Sequence, residues 1–274
     1  MNFDIVTSCT PQYLPGLVAL RNSIERNFPL ATLHCFMYAQ GQDLDLPERI
    51  EYIHEAPLAR HATGVGTEFR HGLTLGPDMY SRILIPNYFE GRVFYVDVDC
   101  LVLNNFSHLW EMDLKGNPTG CVYRPDIGWK GGHRHDDMGS GTFLCDIDAW
   151  RKENILDKIY DVMELERQGK IREFGMNVES ALSYVHDGKF LHLPKEFQIL
   201  TYYGTLVQPD YIAHFAGPKP WNIDRKLARQ RPLYFKALWE AYFYNKESLI
   251  ERETNNLPSK RNEQEYKKLI SKLN

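Results

Sequence analysis

The run Arg92–Val96 constrains the fold of this chain more than any other segment, because four apolar residues follow Arg92 without a break. Strands that are apolar on both faces are typical of parallel sheets covered by helices on both sides. Strand-like runs recur at Phe3–Thr7 and Leu33–Tyr38, and a stretch with helical spacing, Leu14–Asn27, lies between those two. This alternation predicts an α/β fold with a mostly parallel central sheet.

The rest of the chain continues the alternation. We expect helices at Met79–Phe89 (despite Pro86), Trp150–Gln168 and Asn177–His186, and strands at Gly120–Tyr123, Thr142–Asp146 and Tyr211–Phe215. The tail from Pro232 also has helical character. A length of 274 residues suits one large domain with an appendage, so we expect a main domain at residues 1–221 and a basic, aromatic-rich helical extension at residues 222–274.

The composition is that of a globular protein with a sizeable core, at 43% hydrophobic and 25% charged residues. Every apolar run is far too short to span a membrane, and the N-terminal MNFDIVTSC has an acid where a signal peptide needs bases, so we expect a cytoplasmic protein. The five cysteines are widely spaced and form no CxxC pair, which favours buried free thiols over a zinc site or a disulfide framework.

Charge is distributed unevenly. Of the 32 basic and 36 acidic residues, 13 and 7 lie from Lys219 onward, which leaves 19 and 29 before it. A basic tail on an acidic body suggests a surface for anionic phosphates or an anionic membrane face, and a solvated helical tail is the alternative. The tail aromatics likewise suit either packing on the main domain or peripheral contact with an anionic membrane. No nucleic-acid partner is expected.

The run GRVFYVDVDCLV, from Gly91 to Val102, is the most informative about chemistry. Asp97 and Asp99 follow the apolar strand, and side chains two apart on an extended chain share a face, so the carboxylates are expected to converge while Val98 faces the sheet. A divalent cation such as Mn²⁺ or Mg²⁺ would offset the cost of burying two like charges. Open α/β sheets bind ligands at this carboxyl end. A solvated turn, or carboxylates held by arginine, is the alternative.

A second segment, YIAHFAGPKPW at Tyr211–Trp221, offers partners for such a site. His214 ends a strand-like run, and an imidazole can complete a metal shell begun by carboxylates. Gly217 would let the backbone approach a phosphate closely, and Lys219 would supply a positive charge for it. A histidine satisfied within the core is the alternative for His214.

Several segments together resemble the retaining glycosyltransferases of family 8, the group of glycogenin and the bacterial lipopolysaccharide galactosyltransferases. In family order, the segments are TSCTPQYLPGLVALRNSI, YSRILIP, GRVFYVDVDCLV, MGSGTFLCDIDAW and HFAGPKPW. In the same order, they resemble the nucleobase-binding first strand and helix, the helix with a donor-binding arginine, the DxD strand, the segment under the donor sugar, and the closing "HxxGxxKPW" of the family. The resemblance spans residues 3–221 and implies a GT-A fold, a Rossmann-like nucleotide-diphospho-sugar transferase fold, with residues 1–221 as the catalytic domain.

The resemblance also implies roles for individual residues. Asp97, Asp99 and His214 would bind Mn²⁺ or Mg²⁺. The residues near the base, ribose, sugar and diphosphate of the donor would be Ser8, Thr10, Tyr13, Arg82, Val98, Gly217 and Lys219. Core packing is the alternative for Tyr13, and a surface ion pair is the alternative for Arg82.

Two departures from the family pattern concern the sugar pocket. Gly139–Gly141 lacks the usual asparagine, and the "DQ" pair of the following helix is missing, with Asn177 or Glu179 in its place. Ser140, Asn177 and Glu179 are therefore the candidates for catalytic roles. Retention of anomeric configuration needs a covalent nucleophile or same-face attack. Because Glu179 and Asp137 are only candidates for a nucleophile, we expect same-face attack.

The function implied is transfer of a hexose from a UDP-sugar to a carbohydrate acceptor such as a lipopolysaccharide or capsule oligosaccharide. Glucose and galactose are the favoured hexoses. The alternatives are a metal-dependent phosphohydrolase or nucleotidyltransferase, and a nucleotide-sugar-binding module with weak catalysis. The stretch Leu193–Tyr203 is a candidate acceptor surface. The loop Gly128–Gly141 suits a solvated flap over the acceptor, or a second metal cluster formed by His133, His135, Asp136 and Asp137.

Overall fold

The computed structural model describes residues 2–39, 41–54, 56, 77–123, 138–170, 178–201, 210–217, 219–221 and 233–246. The strands within these ranges are β1 Phe3–Cys9, β2 Ala31–Met37, β3 Glu51–His54, β4 Arg92–Val96, β5 Cys100–Val102, β6 Thr119–Tyr123, β7 Met138–Asp146, β8 Leu191–Leu193, β9 Ile199–Leu200 and β10 Ile212–His214. The α-helices are α1 Leu14–Asn27, α2 Ile85–Tyr88, α3 Ile147–Lys152, α4 Ile155–Arg167, α5 Val178–His186 and α6 Leu233–Phe243.

The central sheet has seven strands in the order β3-β2-β1-β4-β7-β6-β8. β3, β2, β1 and β4 run parallel, β7 runs antiparallel to its neighbours β4 and β6, and β6 is parallel to β8. A second sheet of three strands has β10 in the middle, antiparallel to β5 and parallel to β9. The predicted α/β class with a mostly parallel central sheet is confirmed.

Hydrophobic side chains pack on both faces of the central sheet. On one face, Trp150 of α3 and Leu182 of α5 belong to the same cluster as Tyr95 of β4. On the other face, Leu20 of α1 belongs to a cluster with Phe94. Tyr95 and Phe94 are neighbours in β4 and point to opposite faces, which is why the four residues after Arg92 are all apolar. Full burial of each such side chain contributes about 1.5–3 kcal/mol.

Helix α6 packs on α1. Asn22 Nδ2 donates a hydrogen bond to the Tyr242 carbonyl at 2.8 Å, and Asn27 Nδ2 donates to the Tyr242 hydroxyl at 2.8 Å. Trp239 joins a third hydrophobic cluster with Leu101 of β5. Core packing, one of the two interpretations of the tail aromatics, is therefore found for α6. A domain boundary at residue 221 and a membrane contact remain predictions.

Two predicted helices differ from the structure. The segment Met79–Phe89 is a 3₁₀ helix over Pro77–Leu84 followed by the single turn of α2. Pro86 lacks an N–H, so it suits the first turn of an α-helix and not the interior of a long one. The segment Trp150–Gln168 covers the end of α3 and the whole of α4, because Asn154 between them adopts a left-handed conformation with φ of 53°.

All five cysteines are free and buried, with at most 1% of the residue exposed. Burial raises the pKa of Cys145 well above its ordinary value, and burial likewise raises the pKa of Cys121. Buried thiols without disulfides were predicted, and this is confirmed. Among the described residues, no helix combines the length and the apolar character needed to cross a bilayer.

Candidate active site

A tight turn places Asp97 and Asp99 at the carboxyl end of β4. The Cys100 amide donates to the Asp97 carbonyl at 3.0 Å, and the Asp97 amide donates to the Gly141 carbonyl of β7 at 2.8 Å. The DxD segment is therefore a turn, and the extended chain predicted from the spacing of the aspartates was wrong. The reason is that β5 begins at Cys100 and leaves the central sheet to pair with β10.

The two carboxylates nevertheless approach the same nitrogen of His214. Its Nε2 atom lies 3.6 Å from Asp97 Oδ2 and 3.3 Å from Asp99 Oδ1. The antiparallel pairing of β10 with β5 sets His214 opposite Cys100, and the ligating atoms of Asp99, Cys100 and His214 lie within 4.8 Å of one another. An octahedral Mn²⁺ or Mg²⁺ with bonds of about 2.1 Å holds adjacent ligand atoms about 3 Å apart. Each carboxylate is therefore near enough to His214 Nε2 to share an ion with it, and carboxylate and imidazole are donors that such an ion accepts.

Lys219 forms an ion pair with Asp99. Burial alone would raise the pKa of Asp99, but the charge of Lys219 outweighs it, so the pKa of the carboxyl lies well below its ordinary range. Burial opposes the charge on Lys219 as well, yet the Asp99 carboxylate raises the pKa of the amine above its ordinary value. Both groups are therefore charged at neutral pH.

Arg82 orients the other carboxylate. Its Nη2 donates to Asp97 Oδ1 at 2.8 Å, and its guanidinium carbon lies 4.6 Å from the centre of the Tyr95 ring. The Tyr95 hydroxyl donates to the same Asp97 oxygen at 3.0 Å and lies 3.1 Å from Ser8 Oγ. Burial raises the pKa of Tyr95 well above its ordinary value, so the phenol stays protonated. Arg82 is buried, so the alternative of a surface ion pair is wrong, but an arginine does hold one of the aspartates.

These groups open onto one cleft of about 240 Å³. The residues predicted for the donor and the metal that line it are Ser8, Tyr13, Arg82, Asp97, Val98, Asp99, His214, Gly217 and Lys219. Gly217 has a φ of 75°, which glycine adopts without strain. The Lys219 Nζ lies 5.8 Å from the centre of the Tyr13 ring, so the two proposed nucleotide-binding segments meet at this cleft.

Three of the predicted residues that the structure describes are not brought to the wall of this cleft. Thr10 does not line it, and the Thr10 hydroxyl is buried without a hydrogen-bond partner among the described residues. Ser140 and Glu179 lie behind Arg82, since Arg82 Nη1 donates to the Ser140 carbonyl at 2.6 Å and the Ser140 amide donates to Glu179 Oε1 at 3.3 Å. Asn177 lies outside the described residues.

Other predictions also fall on parts of the chain that the structure does not describe. The acceptor surface suggested at Leu193–Tyr203 is described only up to Thr201. The loop residues proposed for a second metal lie wholly outside the described ranges, and they are His133, His135, Asp136 and Asp137.

Three residues at the site were missed from the sequence. Tyr95 lies two positions before Asp97 on β4, so the strand period alone would have placed both on one face. Gly141 has no room for a side chain, because a Cβ there would lie 2.5 Å from His214 Cε1, 2.6 Å from Gln198 Nε2 and 2.9 Å from Asp97 Oδ2. Gln198 follows a buried phenylalanine in a largely apolar run, and nothing in the local pattern distinguishes it.

Solved structures share the fold. The galactosyltransferase LgtC, in complex with donor and acceptor sugar analogs, matches with a TM-score of 0.66 over 97% of this chain and 100% of that chain, at 18% identity. The glycosyltransferase GlyE of Streptococcus pneumoniae TIGR4 matches with a TM-score of 0.63 over 95% of this chain and 67% of that chain, at 19% identity. These likenesses confirm the GT-A architecture.

Curated relatives match over a smaller span. General stress protein A of Bacillus subtilis (strain 168) is 26% identical over 180 residues, which is 54% of this chain and 60% of that protein. Glycosyltransferase GlyB of Streptococcus pneumoniae serotype 4 is 22% identical over 184 residues, 61% of this chain and 41% of the relative. The chain thus spans less than two thirds of the length of these two relatives.

The model of glycosyl transferase family 8 matches residues 4–224. This span includes all the residues that line the cleft and all of the described strands except Phe3, the first residue of β1. It also contains the five segments on which the sequence resemblance rested. The chain therefore belongs to glycosyl transferase family 8.

Proposed function

We propose that this family 8 protein is a glycosyltransferase that moves a hexose from a UDP-sugar to a carbohydrate acceptor with retention of anomeric configuration, and that it requires Mn²⁺ or Mg²⁺ held by Asp97, Asp99 and His214. The observation that carries the proposal is the approach of both carboxylates to His214 Nε2, at 3.6 and 3.3 Å, inside a cleft with Lys219 on its wall. Membership of family 8 argues against the phosphohydrolase and nucleotidyltransferase alternatives.

The charges of the cleft suit a metal and a diphosphate together. Without a metal, Arg82 and Lys219 balance the charges of Asp97 and Asp99. A divalent cation adds two positive charges to this set, so Lys219 becomes available for a second anion while Asp99 remains compensated. The diphosphate of the donor is such an anion, and the left-handed Gly217 backbone beside Lys219 allows it to approach closely.

The other wall of the cleft suits the nucleoside. Tyr13 follows β1 and lines the cleft, with its ring edge against Trp221 at a centroid distance of 6.0 Å. Ser8, at the end of β1, also lines the cleft and offers a hydroxyl near Tyr95. We therefore assign the base and ribose to Ser8 and Tyr13. Thr10 is not included, because it does not line the cleft.

For the chemical step we propose same-face attack. The bond between the anomeric carbon and the diphosphate oxygen breaks, the acceptor oxygen bonds to that carbon on the same face, and its proton passes to the departing diphosphate. When bound, the cation stabilises the charge that develops on the diphosphate. Lys219 stabilises the same charge, and Arg82 keeps Asp97 in position. Glu179, held by the Ser140 amide, supplies a fixed negative charge behind Arg82.

A donor screen tests the proposal. UDP release and the anomeric configuration of the product are measured with UDP-glucose and UDP-galactose, Mn²⁺ and a panel of oligosaccharide acceptors. We expect Asp99→Ala, or a chelator, to lower the rate at least about 10³-fold, whereas exposed Asp157→Asn leaves it unchanged. Full activity in Asp99→Ala would refute the metal assignment. Release of UMP would indicate phosphohydrolysis, and metal-dependent UDP binding without turnover would indicate a binding module.

A further inference from the structure

The side chain of Gln198 lies directly behind His214. Gln198 precedes β9, is 5% exposed, and its Nε2 lies 3.2 Å from His214 Nδ1. The other atom of the amide, Oε1, is buried and has no hydrogen-bond partner among the described residues. Nothing described except the imidazole therefore sets the orientation of this amide.

This orientation matters because an imidazole nitrogen that binds a metal must be unprotonated. If Nε2 of a neutral His214 carries the lone pair, the proton is on Nδ1, and Nδ1 then needs an acceptor. The Gln198 NH₂ group is a donor and cannot accept that proton. With the NH₂ group toward Nδ1, a neutral His214 has its proton on Nε2, directed at Asp97 and Asp99.

We infer that Gln198 is a positioning residue that sets the tautomer of His214 through two orientations of its amide. In the metal-free enzyme, the NH₂ group donates to Nδ1 and His214 presents N–H to the aspartates. When the proposed metal site is filled, the amide is rotated by 180°, Oε1 accepts from Nδ1–H, and Nε2 presents its lone pair to the cation. The inference rests on the proposed function only for this second state.

The shape of the amide permits the rotation. The two ends of an amide are nearly equal in size, so rotation about the terminal torsion exchanges donor and acceptor within the same volume. Gly141 keeps that volume open, since a Cβ there would lie 2.6 Å from Gln198 Nε2. A hydrogen-bond partner behind a ligating histidine is typically worth 10–100-fold in metal affinity.

The metal-free state is tested first, because it does not depend on the metal assignment. Long-range ¹H–¹⁵N correlation spectra at pH 8 identify protonated and unprotonated ring nitrogens, and His214→Gln assigns the signals of His214 among the ten histidines. In the wild type we expect an unprotonated Nδ1 and a protonated Nε2. A protonated Nδ1 in the metal-free wild type would overturn the inference, whatever happens at the metal site.

The metal-bound state is tested with two variants of similar size. Gln198→Met removes both hydrogen-bonding groups, and Gln198→Glu keeps only acceptors. Mn²⁺ affinity in the presence of UDP is measured by calorimetry at pH 8, and the tautomer is followed with diamagnetic Mg²⁺. We expect the methionine variant to bind Mn²⁺ about 10–100-fold more weakly and the glutamate variant to stay within a few-fold of wild type.

The outcomes separate the two proposals. Equal losses of Mn²⁺ affinity in both variants, or wild-type Mn²⁺ affinity in Gln198→Met, would contradict the role of Gln198. A wild type that binds no Mn²⁺ while His214 shows the expected metal-free tautomer would instead contradict the proposed metal site and leave the metal-free part of the inference supported. Unchanged melting temperatures in both variants would confirm that the affinity loss is local.

Discussion

The ammonium of Lys219 donates to the carboxylate of Asp99 across 120 positions of the chain. The pair joins the segment after β10 to the turn after β4, and the Asp99 side chain is only 6% exposed. Removal of one partner from a buried ion pair costs about 3–5 kcal/mol, because the remaining charge is left uncompensated. The site therefore contributes to the stability of the metal-free fold as well as to binding.

The first prediction concerns this pair. We expect Lys219→Met to lower the free energy of unfolding by about 3 kcal/mol without metal, and Mn²⁺ to restore part of the loss by compensating Asp99. Urea titrations with and without Mn²⁺ measure both effects. Arg49→Met is the control, since Arg49 lies 3.7 Å from Glu25 at an exposed site and its loss should cost less than about 1 kcal/mol. Equal destabilisation of the two variants would contradict this account of Asp99.

Gly141 provides a test of the ligand geometry. We expect Gly141→Ala to displace His214 and Asp97 and to reduce Mn²⁺ affinity by at least about 10-fold, because the added carbon would lie 2.5 and 2.9 Å from their atoms. Gly120→Ala is the matched control in the same sheet. Its Cβ would meet the Leu114 and Leu193 side chains at 3.3 Å, so it should affect stability but not metal affinity. Calorimetric titration of both variants with Mn²⁺ shows whether the loss of affinity is specific to Gly141 or follows from any added side chain in the sheet.

His186 predicts a pH dependence of stability. Burial, with a smaller effect of Lys158, lowers the pKa of His186 from 6.5 to about 4 in the folded protein. Above pH 6.5 the imidazole is neutral in both states and its contribution is complete. As the pH falls from about 6.5 to about 4, the unfolded chain binds the proton first, so about 3 kcal/mol of stability is lost.

Denaturant titrations between pH 4 and pH 7 measure this contribution. His186→Gln should show a shallower loss of stability over that window than the wild type, although its stability at pH 7 is also lower because the packing against Trp150 changes. Exposed His192→Gln is the control and should keep the wild-type slope. A wild-type slope in His186→Gln would mean that His186 titrates normally in the folded state.

Substitutions in α6 and directly after it distinguish the two interpretations of the tail aromatics, which are packing on the main domain and contact with a membrane. Trp239 is 4% exposed and Tyr244 is 51% exposed. We expect Trp239→Ala to destabilise the protein by about 3–5 kcal/mol and Tyr244→Ala by less than about 1 kcal/mol. Co-sedimentation with vesicles that contain anionic lipid should be the same for Tyr244→Ala and wild type. Loss of vesicle binding in Tyr244→Ala would instead support the membrane interpretation of the tail.

Periodicity predicted the elements that are apolar and regular. α1 and β4 have the predicted bounds, because helical spacing and a continuous apolar run identify them without tertiary information. β3 was missed because its ends, Glu51 and His54, are polar and exposed, and β9 was missed because it has only two residues. The break at Asn154 depends on one left-handed residue, which a helical pattern does not reveal.

At the site, residues that are close to one another in the sequence could be predicted to meet, and residues that are far apart could not. Asp97 and Asp99 are near neighbours, so their convergence was foreseen even though the turn that produces it was not. His214 reaches the same site through the pairing of β10 with β5. Its chemistry and the end of a strand-like run made it a candidate ligand, but the sequence did not show that pairing. Gln198 depends on that pairing and on the packing behind it, so no local pattern would have found it. The cytoplasmic location, the donor sugar and the acceptor remain predictions.

The burial of all five thiols makes the folded chain inert toward thiol-reactive reagents. A maleimide dye added to the native protein would therefore react only with molecules in which local or global unfolding has exposed a thiol. Its rate of incorporation would report the equilibrium between the folded and the opened forms. Because the native thiols do not react in the folded protein, a cysteine introduced at Leu30, which is 73% exposed, would be the only reactive thiol. A fluorophore there would be attached without first removing any native cysteine from the core.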